Sequence, residues 1–130
     1  MSIDPIADAL SKIKNATRAQ KETVEIKWSK LLEDLVAVLK REGYVSNFRK
    51  LSIAERAYLR VYLRYNKDKK PFIKRIERFS KPGLRVYMKS KQLCAKGHFG
   101  TVILTTSKGI FTDKEAKEKN LGGEPLCLIY

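Results

Sequence analysis

Apolar residues recur along this chain first at helical spacing and then at strand spacing, and the changes of period divide it into elements. Ile6, Leu10 and Ile13 fall on one stripe behind Asp4 and Pro5. That pair suits a helix start, because aspartate caps free amides and proline fits the first helical position. Residues 23–28 alternate instead, placing Val24, Ile26 and Trp28 on one face of a half-buried strand. Ser29 is placed to cap a second helix with Leu32, Leu35, Val36 and Leu39 as its apolar stripe. Glu33 and Asp34 near its start, Lys40 and Arg41 near its end, and Gly43 beyond them all suit the helix dipole and a glycine stop. Residues 44–50 and 57–65 read as strands. In the second, Leu59, Val61 and Leu63 alternate against Tyr58, Arg60, Tyr62 and Arg64. The pattern predicts an N-terminal lobe of order α-β-α-β-β.

A charged connector, NKDKKP at residues 66–71, separates this lobe, residues 1–66, from a second one, residues 67–130. The second lobe is expected to open with a strand over roughly residues 72–79, followed by a turn at Pro82 and Gly83 and another strand. Residues 90–96 fit one helical turn. Thr101 to Leu104 form a β-rich run leading into a loop of three hydroxyls, after which Ile110 and Phe111 resume extended structure. Thr112 and Glu115 have the spacing of a capping box for a short helix to Asn120, which Gly122 and Gly123 end. Leu126, Leu128 and Ile129 read as a terminal strand. The fold class is therefore α+β: two small lobes, the second mainly β with one or two short helices.

Charge changes the picture more than length does. At 130 residues with 43% apolar content the chain can bury a core, but 28 Lys+Arg against 14 Asp+Glu leave a formal net charge of +14. That exceeds what solubility asks of a small domain and favours a polyanionic partner, nucleic acid first. Residues 1–65 carry 13 basic and 8 acidic groups and residues 66–130 carry 15 and 6, so the second lobe is the stronger candidate. No membrane partner is expected, since there is no long apolar run, no signal-like start and no lysine-rich amphipathic helix. Cys94 and Cys127 lack metal or redox spacing and read as buried thiols in a reducing compartment.

Catalysis has little to rest on. His98 is the only histidine, and phosphate-loop, dinucleotide and nucleophile-elbow motifs are absent, so no catalytic residue, metal site or cofactor is expected. Asp113 and Glu115 are explained as first-turn helix residues. The run Thr105, Thr106, Ser107, Lys108 and Gly109 reads either as a polar turn satisfying its own backbone or as a phosphate and ribose surface. Gly122, Gly123 and Glu124 either stop a helix or let an RNA backbone come close. Tyr87 either packs in a half-core or offers a ring for stacking, with Lys81, Arg85 and Lys89 as candidate phosphate contacts.

With these residues in view, the chain resembles the family of the eighth small-subunit ribosomal protein, in its bacterial form. The likeness rests on DPIADALSKIKNA, LKREGYV, RFSKPGLRVY and TTSKGIFTDKEAKEKNLGGE, in that order and nearly end to end. The resemblance implies a non-catalytic structural constituent of the small subunit that binds the central domain of its ribosomal RNA and aids assembly. Its C-terminal lobe would read an irregular RNA helix in the minor groove through Thr105, Thr106, Ser107 and Lys108. The SKPG strand, with Ser80, Lys81, Pro82, Arg85 and Tyr87, and the Gly122–Glu124 turn would support it. Lys14, Asn15 and Arg18 on the first helix would be secondary contacts.

The implied partners are ribosomal RNA, neighbouring small-subunit proteins touched through the N-terminal lobe and its Tyr58, Tyr62 and Tyr65, and its own messenger RNA as a repression target. The chain would be a monomer outside the ribosome, in a cytoplasmic or organellar ribosome. Two features depart from the family pattern: Thr105 stands where serine is frequent, and Pro125 cannot donate to a ladder, so the last strand should begin after it or run at an edge. The residues alone leave two other readings, a small RNA-modifying enzyme and a non-ribosomal RNA-binding regulator.

Overall fold

The structure is a computed structural model and describes residues 5–78 and 101–129. The chain forms two compact units, Met1–Lys74 and Arg75–Tyr130. In the first, the order is α1 (Pro5–Arg18), β1 (Thr23–Lys27), α2 (Lys30–Arg41), β2 (Val45–Ile53) and β3 (Arg56–Leu63). The strands make an antiparallel sheet of order β1-β3-β2. This is the expected α-β-α-β-β arrangement. Ile6, Leu10 and Ile13 of α1 and Leu32, Leu35, Val36 and Leu39 of α2 are buried, as are Ile26, Leu59, Val61 and Leu63 of the sheet. One apolar face of the sheet thus meets the apolar stripes of both helices.

Local chemistry explains the element ends. The Ser29 hydroxyl accepts from the Leu32 amide at 3.1 Å, as an N-cap should. Helix α1 ends at Gln20, whose φ is +56, with the Lys21 amide donating to the Ala16 carbonyl and the Gln20 amide to that of Thr17. Gly43 does the same for α2 at φ +82. Both are Schellman motifs, in which a left-handed residue lets two late amides reach back to orphan carbonyls. Asp4, the expected cap of α1, lies outside the described residues.

The hairpin of β2 and β3 is tighter than the sequence suggests. Ile53 pairs with Arg56, so the strands run up to a two-residue turn at Ala54 and Glu55, both at positive φ (+50 and +66). This is the geometry of a type I′ turn built from residues that do not favour it.

Trp28 is half-buried, with the Lys50 ammonium 3.7 Å from its ring centroid and its Nε1 buried without a hydrogen-bond partner among the described residues. The Tyr65 hydroxyl donates to the Lys21 carbonyl at 2.6 Å, and burial pushes the phenol above its ordinary pKa. On the sheet, Arg60 is held above its ordinary value, chiefly by its hydrogen bond to Glu25.

The connector folds back on the first unit. The Asn66 amide donates to the Lys70 carbonyl, Tyr65 bridges Pro71, and the Phe72 amide donates to the Arg64 carbonyl, with the Arg64 guanidinium 4.1 Å from the Phe72 ring. These ties explain why the strand expected from residue 72 starts later: of its described part only Ile76–Arg78, here β4, is extended in a sheet.

The second unit continues with β5 (Thr101–Thr106), β6 (Gly109–Thr112), α3 (Asp113–Glu118) and β7 (Glu124–Ile129), in an antiparallel sheet of order β4-β7-β5-β6. Val102, Leu104, Ala116 and Leu128 cluster, with Leu121 packed against them. Thr112 and Glu115 form the expected capping box, each side chain 3.2 Å from the other's backbone amide. The expected helix stop is corrected, however. Asn120, at φ +56, ends α3, with the Leu121 amide donating to the Ala116 carbonyl in a third Schellman motif. Gly122 and Gly123 come after the helix has already ended.

Pro125 is also corrected. Strand β7 includes it and lies between β4 and β5 rather than at an edge. Two facts make room for it. The register with β5 shifts between Ile103 and Leu104, so that Pro125 pairs opposite Leu104 at an irregularity. Among the described residues, strand β4 pairs with Cys127 to Ile129 only, and Pro125 has no pairing partner on that side. Cys127 is fully buried in β7. The Pro82–Gly83 turn, the strand after it, the helical turn at 90–96, Cys94 and His98 lie outside the described residues.

Candidate nucleic-acid interface

Strand β5 runs further than expected, so Thr105 and Thr106 are strand residues and the reversal falls on Ser107 and Lys108 alone. Thr106 pairs with Gly109 across this hairpin. The Thr106 hydroxyl donates to the Gly109 carbonyl at 2.8 Å and accepts from the Lys108 amide at 3.1 Å, while Gly109 takes φ +129. That hydroxyl is consumed in holding the turn. The hydroxyls of Thr105 and Ser107 make no hydrogen bond with the described residues, and Ser107 and Lys108 are exposed. The three hydroxyls therefore divide into one that shapes the tip and two that make no hydrogen bond with the described residues.

The Gly122–Glu124 turn lies against this hairpin. Thr105 pairs with Glu124, and Gly123 is buried beneath the β5 backbone. A Cβ on Gly123 would stand 2.3 Å from the Thr105 carbonyl oxygen and 3.0 Å from Thr106 Cγ2. The glycine is required by strand contact. The structure thus joins two motifs that the sequence separates. It also adds a pair that no local pattern pointed to: the Lys119 ammonium lies 5.4 Å from the Phe111 ring centroid, and a Cβ on Gly109 would stand 4.0 Å from Phe111 Cε2. Residues on β6 and just past α3 meet only through the fold.

Lys14, Asn15 and Arg18 stand on the last turns of α1; Asn15 and Arg18 are exposed and Lys14 is half-buried. Asn15 borders an open groove of about 600 Å³ between α1 and β1, with Lys12, Ala16, Ala19 and Lys21. Ser80, Lys81, Pro82, Arg85, Tyr87 and Lys89 lie outside the described residues. No cluster of three or more histidine, cysteine or acidic side chains suited to a metal ion occurs among the described residues.

Two small α+β units, a charge of +14 and a hydroxyl-tipped hairpin define a basic protein of the polyanion-facing class. Comparison with known proteins carries this further. Residues 4–130 match the family described as Ribosomal protein S8. The small ribosomal subunit protein uS8 of Geobacter metallireducens is 46% identical, over 98% of this chain and 97% of that one. The proteins of the same name from Petrotoga mobilis and Desulforudis audaxviator are 42% and 43% identical, over 98% and 100% of this chain and the same shares of theirs. The chain belongs to the ribosomal protein S8 family. It is a structural, non-enzymatic constituent of the small ribosomal subunit, an assembly of ribosomal RNA and proteins in the bacterial cytoplasm.

Proposed function

We propose that this protein binds the central domain of small-subunit ribosomal RNA directly, and that the β5–β6 hairpin tip is its main reading element. The observation that carries the proposal is the division of hydroxyls at the tip. Thr106 is spent on the turn, while Ser107 and Thr105 are left beside Lys108 and against the Gly123–Glu124 turn. A-form RNA shows ribose hydroxyls and base edges in its minor groove, where short hydroxyl side chains fit. Basic side chains supply most of the affinity by displacing counterions, and the hydroxyls discriminate. Lys14, Asn15 and Arg18 contribute a second, weaker contact from α1. A hairpin in the protein's own messenger RNA that imitates the ribosomal site would enter the same surface and so repress translation.

The test is binding to a central-domain hairpin and to a scrambled hairpin of equal length, at two salt concentrations. Ser107→Ala should cost about 1–3 kcal/mol on the cognate hairpin, the cost of leaving a polar RNA group unpaired. Changing Lys108 should weaken both RNAs alike and flatten the salt slope. Equal binding of both hairpins by the unaltered protein, collapsing as salt rises, would leave the charge without the readout.

A further inference from the structure

The three-stranded sheet of the first unit has a second face that the helices do not use. Alternation puts Tyr58, Arg60 and Tyr62 of β3 opposite to the buried Leu59, Val61 and Leu63. Register carries the same face outward on both sides: Lys27 pairs with Tyr58, Glu25 with Arg60 and Thr23 with Tyr62 on β1. On β2, Leu51 pairs with Tyr58, Arg49 with Arg60 and Ile53 with Arg56. Tyr58 and Tyr62 are partly exposed, while Lys27, Arg49 and Arg56 are exposed. The two rings stand four residues apart on one strand, about 13 Å.

We propose that this face is an additional RNA-docking surface, one for unpaired nucleotides, with Tyr58 and Tyr62 as stacking platforms and Lys27, Arg49 and Arg56 as phosphate contacts. The proposal rests on the reading of the protein as an RNA binder but uses a different unit and a different form of RNA. Charge complementarity carries it. The one acid named on the face, Glu25, is held by Arg60, with Nη2 at 2.9 Å from its Oε1. That clamp also fixes Arg60 between the rings. Lys27, Arg49 and Arg56 have no carboxylate partner among the described residues.

Single-stranded RNA takes this combination of aromatic faces and a basic track, because every base has a stackable face whatever its identity. A protein partner fits less well. The cores of such interfaces are depleted in charge, and the apolar side chains here, Leu51 and Ile53, sit together at the hairpin end of the face.

The experiment uses the full chain and a labelled, unstructured 12-nucleotide oligouridine, with the central-domain hairpin as a second probe. Arg49→Gln with Arg56→Gln should weaken oligouridine binding about tenfold and lower its salt slope by about 1.4, the value for two single-strand phosphate contacts. These positions are exposed, so the thermal melt should not move. Tyr62→Leu, which keeps apolar bulk but removes the ring, should cost about fivefold or more, and photocrosslinking should place the oligonucleotide on Tyr58 or Tyr62.

If the hairpin binds normally but both face variants hold oligouridine as well as the unaltered protein does, the proposal is overturned while the hairpin-tip reading stands. Capture of a small-subunit protein by this face, with oligouridine binding unaffected by the variants, would overturn it as well. If neither RNA binds the unaltered protein, the RNA-binding reading itself fails.

Discussion

Replacing Gly123 by alanine tests whether the second unit holds its hairpin tip by close strand contact. The new Cβ would lie 2.3 Å from the Thr105 carbonyl oxygen and 2.8 Å from Leu104 Cδ1. The leucine tip can swing away; the carbonyl is backbone, in a strand where Thr105 stands in register with Glu124. To reach the 3.4 Å at which ordinary contact starts, β5 and the Gly123 turn must part by about 1.1 Å. Normal strand spacing is about 4.8 Å, so a shift of that size takes the nearest ladder hydrogen bond out of range. Overpacking costs about 1–3 kcal/mol and a lost net hydrogen bond about 1 kcal/mol, together about 2–4 kcal/mol.

In a small domain that lowers the melting temperature by on the order of 10–20 °C. Circular dichroism melts give the stability, and hydrogen exchange read by mass spectrometry locates the loss at Thr105, Thr106 and Gly109. Gly122→Ala is the control, because Gly122 is exposed and not at positive φ, and it should stay within about 0.5 kcal/mol. A Gly123→Ala protein as stable as that control would refute the close-contact argument.

Other outcomes follow from the same geometry. Thr112→Ala removes half of the α3 capping box and should destabilise the second unit by about 1–2 kcal/mol in denaturant titrations, with Thr112→Ser recovering most of it. Ala54→Asn with Glu55→Gly puts turn-forming residues at the two left-handed positions between β2 and β3 and should raise the stability of the first unit by about 1 kcal/mol. Tyr65 has a folded-state pKa raised by burial, so its stabilising share is fully present below the unfolded phenol value of 10.0 and is lost as pH climbs through the folded value. Melts between pH 9 and pH 12 should show that decline weakened in Tyr65→Phe, which at neutral pH should lose about 0.5–1 kcal/mol with the bond to the Lys21 carbonyl.

Much of the first unit was legible because its signals are local and agree with one another. Ser29, the α2 stripe and Gly43 each mark the same helix, and β3 alternates without a break. The capping box at Thr112 was legible for the same reason. The hairpin turn at Ala54 and Glu55 was not, because the strand pairing forces left-handed backbone on residues that carry no turn signature. Pro125 misled in the opposite way. Its missing amide argues against a central strand, but the register of β7 with β5 shifts beside it, and among the described residues it has no pairing partner on the β4 side. At the candidate site the hydroxyl run and the glycine pair were visible as motifs. Their contact through Gly123, the consumption of the Thr106 hydroxyl and the Lys119–Phe111 pair depend on sheet register, which no local pattern encodes.

Trp28 is the only tryptophan in the chain and belongs to the first unit. Intrinsic indole emission is therefore a private signal of that unit. With its N–H buried and unpartnered among the described residues and the Lys50 ammonium against its ring, the fluorophore should emit towards the blue and shift red as the first unit opens. A fluorescence melt set beside a far-ultraviolet melt would then show whether the two units unfold together or in sequence, with no label added to the protein.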